Sequence, residues 1–189
     1  NEETLAILKT LSTHNNPGIV ILNQENKGLA AARNAGIKQS NGTVIIPLDA
    51  DNKLTSDYLD LGIELAKEGS ALNERTDIVY GDPIFFGADN SIHKWSNVGF
   101  RPSDILHGNF IDACACIKKD IWSRIGGYDE NMVHGYEDWE FWINAFGHGA
   151  RFDHVNKKLF YYRVRNDSMV TSSKKPDTHH AIKKYIYTK

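Results

Sequence analysis

Short apolar runs and segments with helical periodicity alternate along the first half of the chain. Residues 18–22, 43–48 and 77–80 are apolar enough to form buried strands. The alanine-rich segment 28–40 and the amphipathic segment 56–69 have the composition and spacing of helices. Because helices and strands alternate in this order, we predict an α/β fold with a mostly parallel sheet flanked by helices.

The pattern becomes irregular beyond the third predicted strand. Residues 83–109 mix glycine, proline and aromatic residues without a clear period, which predicts mostly loop with short strands. Residues 110–117 and 160–164 predict two further strands. Residues 119–125 predict a short helix, which the two glycines that follow would end.

A helix over residues 137–146 has a regular apolar face, which indicates core packing rather than a ligand site. That face carries Trp139, Trp142, Ile143 and Phe146. We expect residues 1–168 to form one partial domain. Residues 169–189 form a C-terminal tail, predicted to be helical over 177–187.

Composition argues against two broad classes of interaction. Of the 189 residues, 24% are charged and the net charge is −2, so the chain offers no basic field to a nucleic acid. No segment approaches the about 20 consecutive apolar residues that a membrane-spanning helix needs. We therefore expect no nucleic acid among the partners.

The chain has two cysteines, Cys114 and Cys116, both within a predicted strand. Residues two apart on a strand point to the same face, and a disulfide between them is geometrically unfavourable. No further cysteine is present to complete a zinc site. We interpret the pair as buried free thiols in a reducing compartment, which indicates a cytoplasmic location.

A pair of carboxylates directly follows the second predicted strand. Asp49 and Asp51 come where the apolar run 43–48 ends, and ligands of open α/β sheets bind at the carboxyl ends of strands. Two carboxylates so spaced can hold a hard divalent cation that recruits substrate phosphates. A helix cap is the simpler alternative, but Thr55 or Ser56 already serves that role. The pattern therefore favours a functional site.

Two enzyme classes place carboxylates in this position. Residues 44–55 loosely resemble the first motif of haloacid-dehalogenase-type phosphatases, in which Asp49 would be the nucleophile. Asn52 stands where that family has glycine, and the motif usually opens the fold. In glycosyltransferases, an Asp-x-Asp pair holds the metal on the diphosphate of a sugar nucleotide. A non-catalytic carbohydrate-binding or scaffold protein that keeps the fold is a third alternative.

Four segments in order along the chain resemble motifs of the family 2 glycosyltransferases of the GT-A fold. Residues 24–36 are similar to an Asn-x-Gly turn followed by Ala-Arg-Asn-x-Gly in a helix. Residues 126–130 are similar to a Gly-Gly-aromatic-Asp-Glu loop, and residues 137–138 to a Glu-Asp pair at a helix start. Residues 162–168 are similar to a Tyr-Arg-x-His-x-x-Ser closing segment. One motif alone would be weak, but four in order are specific.

The resemblance implies metal-dependent transfer of a sugar, with inversion, from a nucleoside diphosphate to an acceptor hydroxyl. Such chemistry needs a base for the hydroxyl and neutralisation of the departing diphosphate. The implied base is Asp138. The implied acceptor-binding residues are Glu137, Gly127 and Tyr128. The implied donor-binding residues are Arg33, Asp49, Arg163, Arg165 and Ser168. The implied ligands of Mn²⁺ or Mg²⁺ are Asp51 and Asp49.

Two positions depart from the family pattern. Arg165 stands where the family often has histidine. A guanidinium cannot ligate a metal, so Arg165 or Arg163 would contact phosphate instead. Asn52 stands where aspartate is common, which would weaken metal affinity or merely change a cap.

The resemblance also implies partners and a location. The partners are a nucleotide-sugar donor and a saccharide or lipid-linked saccharide acceptor, in bacterial polysaccharide biosynthesis. The location is cytoplasmic, with peripheral attachment at the inner face of the cell membrane as an alternative.

Two motifs of the family, a Pro-x-Tyr-Asn-like turn and an Asp-Asp-Gly-Ser-like segment, do not occur in the 189 residues. By the resemblance they belong to earlier strands that help to hold the base and the ribose. We therefore expect an N-terminally truncated GT-A domain that has little or no transferase activity by itself. Exposed sheet edges beside residues 19–22 and 43–48 would favour a homo-oligomer.

Overall fold

The computed structural model describes residues 2–13, 17–88, 99–165 and 176–189, without the side chains of residues 12, 13 and 176. Its helices are α1 (Glu2–Thr13), α2 (Leu29–Gln39), α3 (Ser56–Ala66), α4 (Ala71–Arg75), α5 (Pro102–His107), α6 (Lys119–Ile125), α7 (Glu137–Gly147) and α8 (Pro176–Thr188). Its strands are β1 (Val44–Ile45), β2 (Lys53–Leu54), β3 (Ile78–Gly87), β4 (Cys116–Lys118) and β5 (Phe152–Val164). In these ranges, every helix is too short or too polar to span a bilayer.

The strands of the described residues form one five-stranded sheet in the order β1-β4-β3-β5-β2. β3 and β5 are parallel, whereas the other three pairings are antiparallel. The α/β class is thus confirmed, but the parallel arrangement is confirmed for one pair only. Parallel neighbours need a long crossover connection, which the chain between β3 and β5 supplies. The strands of two or three residues, β1, β2 and β4, pair in the opposite direction.

Strand lengths differ from the predictions. Residues 18–22 form no strand, and Val20 is 66% exposed. No strand of the described chain pairs with this segment, so apolar composition alone does not produce a strand there. Of the predicted runs 43–48 and 110–117, only the short strands β1 and β4 form. β3 and β5 extend well past the predicted segments because they pair along the whole of β3.

The helix predictions are confirmed more closely. α6 occupies residues 119–125 as predicted and ends at Gly126, whose φ of 85° is the left-handed conformation that glycine accepts. α2, α3, α7 and α8 begin within one residue of their predicted starts. The segment expected to be mostly loop contains α5, and β3 continues into it as far as Gly87.

The sheet separates two hydrophobic clusters. Ile78 belongs to the first cluster and the adjacent Val79 to the second, because successive strand residues point to opposite faces. Trp139 and Trp142 are fully buried in the first cluster, which confirms that the apolar face of α7 is core. The ring of Trp142 also packs on Phe152 of β5, with ring centroids 6.2 Å apart.

Both cysteines are buried free thiols, as predicted. Cys114 and Cys116 lie in the second cluster with Tyr58 of α3. Burial raises the pKa of Cys116 to about 12. The thiolate that metal binding or nucleophilic chemistry requires is therefore disfavoured.

The last helix packs on the same core as α7. Ile182 and Ile186 are buried in the first cluster. The ammonium group of Lys189 donates to Oδ2 of Asp129 at 2.8 Å and to Oε1 of Glu140 at 2.9 Å. The side chain of Glu140 is only 4% exposed, so a carboxylate of α7 depends on a cation that follows α8.

Replacing Lys189 with methionine should lower the free energy of unfolding by about 1–2 kcal/mol, because two largely buried carboxylates lose their cation. Methionine keeps much of the apolar length, so the loss reports the charge. Urea unfolding followed by tryptophan fluorescence measures it. Lys184→Met, an exposed position of α8, is the matched control and should change stability by less than about 0.5 kcal/mol. Equal losses in both variants would contradict the role of the ion pairs.

Candidate active site

Arg33 joins two parts of the chain that are distant in sequence. Its Nη2 donates to Oδ1 of Asp49 at 2.9 Å, and its Nη1 donates to Oε1 of Glu137. The side chains of Arg33 and Glu137 are 9% and 5% exposed. Burial alone would lower the pKa of Arg33, but Tyr128, Glu137 and Asp49 raise it well above its ordinary value. The guanidinium is therefore a permanent charge at the centre of the site.

The local sequence explains how Arg33 reaches this place. Gly28 precedes α2 with a φ of 90°, a conformation that other residues rarely adopt. Ala30 and Ala31 are buried, and such small side chains let the helix lie close to its neighbours. The turn and the alanines together place Arg33 in reach of both carboxylates.

Asp138, the predicted base, is the second residue of α7. Its Oδ2 accepts a hydrogen bond from Nδ2 of Asn109 at 2.9 Å, and its Oδ1 accepts one from the backbone N–H of Trp139 at 2.8 Å. Burial, followed by the charge of Glu137, raises the pKa of Asp138 from 3.8 to about 7. A group with that pKa exchanges a proton near neutral pH, as a general base must.

The predicted carboxylates share one neighbourhood, which includes Tyr162 of β5. Burial raises the pKa of Tyr162 to about 12, with further increases from the charges of Asp112, Asp49, Asp138 and Asp51. Arg33 is hydrogen-bonded both to Asp49 and to Glu137, the residue directly before Asp138. The loop that follows β1 and the start of α7, which carries the predicted base, are thus brought together.

Two polar residues of this neighbourhood, Asn109 and Asp112, are absent from the sequence predictions. Oδ1 of Asp112 accepts a hydrogen bond from the backbone N–H of Cys114 at 2.9 Å, and burial raises the pKa of Asp112 to about 6. The available signal was a carboxylate inside the apolar run 110–117, since charged residues are rarely buried without a partner or a function. Asn109 carries no such signal, because its role depends on a contact 29 positions away.

The end of β5 is tied to the loop that carries Asp51. Nη1 of Arg165 lies 3.4 Å from Oδ2 of Asp51, and Nε of Arg163 donates to the backbone oxygen of Asp51 at 3.2 Å. The backbone N–H of Arg163 donates to Oδ1 of Asn52 at 2.9 Å. Two cations therefore lie beside the aspartate predicted to bind metal. Ser168, the remaining predicted donor residue, lies outside the described residues.

Asn34 fastens the Gly-Gly-Tyr loop to α2. Its Oδ1 accepts hydrogen bonds from the backbone N–H of Tyr128 at 2.9 Å and from Nε1 of Trp122 at 3.1 Å. Its Nδ2 donates to the backbone oxygen of Tyr128 at 2.8 Å. The Tyr128 ring is buried and stacked on Phe141, with ring centroids 4.4 Å apart. Tyr128, a predicted acceptor residue, thus lies in the wall behind Arg33, and Gly127 beside it packs against Asn34.

Asp49 and Asp51 supply the oxygen ligands that a hard divalent cation prefers. Their side chains are 40% and 35% exposed, so a metal bound to phosphate can reach them. Within the described ranges, no three acidic, histidine or cysteine side chains form a ready metal cluster. The two carboxylates fit an ion that keeps water molecules and takes further ligands from a diphosphate.

Comparison with known sequences identifies the family of the chain. The profile described as Glycosyl transferase family 2 matches residues 1–124. The chain belongs to this family. The resemblance inferred from the four motifs is thereby confirmed, and membership favours a glycosyltransferase over the phosphatase alternative.

Curated relatives are similar over most of this chain. It is 24% identical over 182 residues to the uncharacterized glycosyltransferase MJ1057 of Methanocaldococcus jannaschii, covering 93% of this chain and 61% of the relative. It is 30% identical over 156 residues to the minor teichoic acid biosynthesis protein GgaB of Bacillus subtilis, covering 79% of this chain and 17% of the relative. The chain spans about half the length of the first curated relatives it matches, with shares of 61%, 48% and 46%.

Solved structures show the same fold at low sequence identity. The complex of S. aureus TarS 1–349 with UDP-GlcNAc has a TM-score of 0.69 and 15% identity, covering 95% of this chain and 52% of that chain. The mannosyltransferase PcManGT of Pyrobaculum calidifontis, in complex with GDP-Man and Mn²⁺, has a TM-score of 0.60 and 17% identity, covering 89% of this chain and 46% of that chain. The predicted GT-A fold is confirmed.

Gly127→Ala should destabilise the protein more than Gly126→Ala. Both glycines have a φ near 85°, where alanine costs about 1–2 kcal/mol. A Cβ on Gly127 would also approach Oδ1 of Asn34 to 2.7 Å, whereas one on Gly126 would meet nothing within 4 Å. Urea unfolding of the two variants should differ by at least about 1 kcal/mol. Equal stabilities would show that Asn34 does not pack tightly on the loop.

Proposed function

We propose that this chain is the catalytic part of an inverting glycosyltransferase, which transfers a sugar from a nucleoside diphosphate to an acceptor hydroxyl. The observation that carries the proposal is the bridge from Arg33 to Asp49 and Glu137. It supports a single site in which the donor-side carboxylates lie next to the helix start that carries Asp138. A sugar held there would have its leaving group on one side and the attacking hydroxyl on the other.

On the donor side, Asp51 and Asp49 would hold Mn²⁺ or Mg²⁺, which neutralises the charge that develops on the departing diphosphate. Arg165 lies beside Asp51 and is itself half-exposed, which leaves it able to contact phosphate oxygens. Arg163, at the same end of β5, is proposed for the same phosphates. We keep Arg33 and Ser168 as donor-binding residues in this proposal.

On the acceptor side, Asp138 accepts the proton of the acceptor hydroxyl while the oxygen of that hydroxyl forms a bond to the anomeric carbon of the sugar. The bond from that carbon to the diphosphate breaks in the same displacement, and the configuration inverts. Neighbouring helix residues point about 100° apart, so Glu137 and Asp138 cannot share one task. Glu137, which is bonded to Arg33, orients the site. Gly127 and Tyr128 shape the acceptor side.

The substrate class is supported by the structural neighbours. The structure of TarS is a complex with UDP-GlcNAc, and that of PcManGT is a complex with GDP-Man and Mn²⁺. We propose a nucleotide-sugar donor and a saccharide or lipid-linked saccharide acceptor in polysaccharide biosynthesis. The proposed location is the cytoplasm, with peripheral attachment at the inner face of the cell membrane as the alternative. We expect the 189 residues by themselves to transfer little sugar. Residues 18–22 form no strand, so self-association stays a prediction only for the sheet edge at β1.

Asp138→Asn is expected to lower kcat by about 10²–10⁴-fold, because an amide cannot accept the proton. A base must be ionised to accept a proton. Burial, followed by the charge of Glu137, raises the pKa of Asp138 to about 7. The kcat/KM of the unsubstituted enzyme should therefore rise as the pH increases through about 7. The assay measures sugar transfer by the protein as its gene encodes it. Asp60→Asn, exposed on α3, is the control and should retain full activity. Undiminished transfer by Asp138→Asn would rule out this base.

Asp51→Ala should weaken Mn²⁺-dependent binding of the donor by at least about tenfold, because it removes the proposed direct ligand. Calorimetric titration with UDP-GlcNAc and with GDP-mannose, with Mn²⁺ or with a chelator, measures the effect. Asp57→Ala, exposed at the start of α3, is the matched control. Equally tight donor binding in the chelator would count against the metal, and equal loss in both variants against the assignment of Asp51.

A further inference from the structure

Asn109 has one end of its amide in use and the other end buried without a partner. Nδ2 donates to Oδ2 of Asp138 at 2.9 Å, whereas Oδ1 is buried and makes no hydrogen bond within the described chain. A buried unpaired carbonyl destabilises a fold, so an asparagine kept for folding alone would be expected to satisfy both ends. The arrangement points to a role in the site.

Helix α7 holds the segment around Asn109 at two points. Nε1 of Trp139 donates to the backbone oxygen of Ile105 at 2.6 Å, and Nε1 of Trp142 donates to the backbone oxygen of Ile111 at 3.1 Å. Asn109 lies between these anchors in sequence, and its partner lies on the same helix as both indoles. The amide is therefore set against the carboxylate before any substrate binds.

The groups around Asp138 act on it in opposite directions. Burial and the carboxylates of Glu137 and Asp112 favour its protonated form, whereas Arg33 and Asn109 favour the carboxylate. Arg33 directs its hydrogen bonds to other carboxylates, so the side-chain hydrogen bond to Asp138 comes from Asn109. Burial, and to a smaller extent the charge of Asp138, raises the pKa of Tyr128, Tyr136 and Tyr162.

We propose that Asn109 is a positioning residue that holds Asp138 in the orientation and charge state needed to accept the proton of the acceptor hydroxyl. This inference rests on the proposed function. An amide N–H stabilises a carboxylate more than a protonated acid. Each carboxylate oxygen has two lone pairs, so the hydrogen bonds from Asn109 and from the Trp139 backbone leave each oxygen able to accept one more hydrogen bond.

The test is a ¹³C NMR titration of the Asp138 carboxyl in the 189-residue chain, in which transfer activity is not required. In Asn109→Leu, the pKa of Asp138 should rise by about one pH unit, because a hydrogen bond to the charged form is lost. Asn109→Asp should raise it further, through a like charge. The melting temperature of Asn109→Leu at pH 5 should stay at or above that of the unsubstituted protein.

Asn73→Leu is the matched control, since its Nδ2 donates to the backbone oxygen of Leu65 at 2.6 Å, away from the site. It should lower stability and leave the Asp138 pKa unchanged. In transfer assays with the protein as its gene encodes it, Asn109→Leu should shift the acidic limb of the pH profile of kcat/KM to higher pH, by the same number of pH units as the pKa of Asp138. The KM for the donor should stay unchanged.

An unchanged Asp138 pKa in Asn109→Leu would overturn the inference, even if Asp138→Asn is inactive. If Asp138→Asn remains fully active while the pKa moves in Asn109→Leu, the base assignment fails, and with it the catalytic meaning of the contact. Asn109→Ala replaces the leucine variant if that variant does not fold. Failure of both variants to fold would make Asn109 a structural residue and would also overturn the inference.

Discussion

Arg33 carries a positive charge into a region from which water is largely excluded, where it meets Glu137 from α7 and Asp49 from the loop after β1. Taking charges out of water costs several kcal/mol for each ion, so neither partner of a buried pair is tolerated without the other. The pairing therefore constrains where α7 can start relative to α2. Asp138 follows Glu137 directly, so the position of the proposed base depends on the same constraint.

The same crowding of charge shapes the chemistry of the neighbouring acids. Burial raises the pKa of Asp112 to about 6, and burial together with the charge of Glu137 raises the pKa of Asp138 to about 7. Both shifts favour the protonated, neutral acids, which reduces the total negative charge of the site. A diphosphate would add further negative charge. The cations at the end of β5, Arg163 and Arg165, lie beside Asp51, the proposed metal ligand.

Packing around the site supports this arrangement from several directions. Two buried indoles of α7 hold the segment that carries Asn109, and Asn34 holds the Gly-Gly-Tyr loop against α2. Tyr136, directly before α7, has a φ of 61°, an unfavourable conformation for a residue with a side chain. Its ring packs on Trp139. Rigid supports of this kind let a base and a cation hold their places before substrate binds.

The sequence by itself determined the helices α2, α6 and α7, the buried thiols, the family, and the order of the motifs that carry Arg33, Asp49 and Asp138. These features are local, because a helix satisfies its backbone hydrogen bonds within its own segment. Only the tertiary structure decided the long β3–β5 pairing, the absence of a strand at residues 18–22, and the contact of Asn109 with Asp138, the proposed base. A strand needs a partner, and a carboxyl group takes its pKa from neighbours that are distant in sequence.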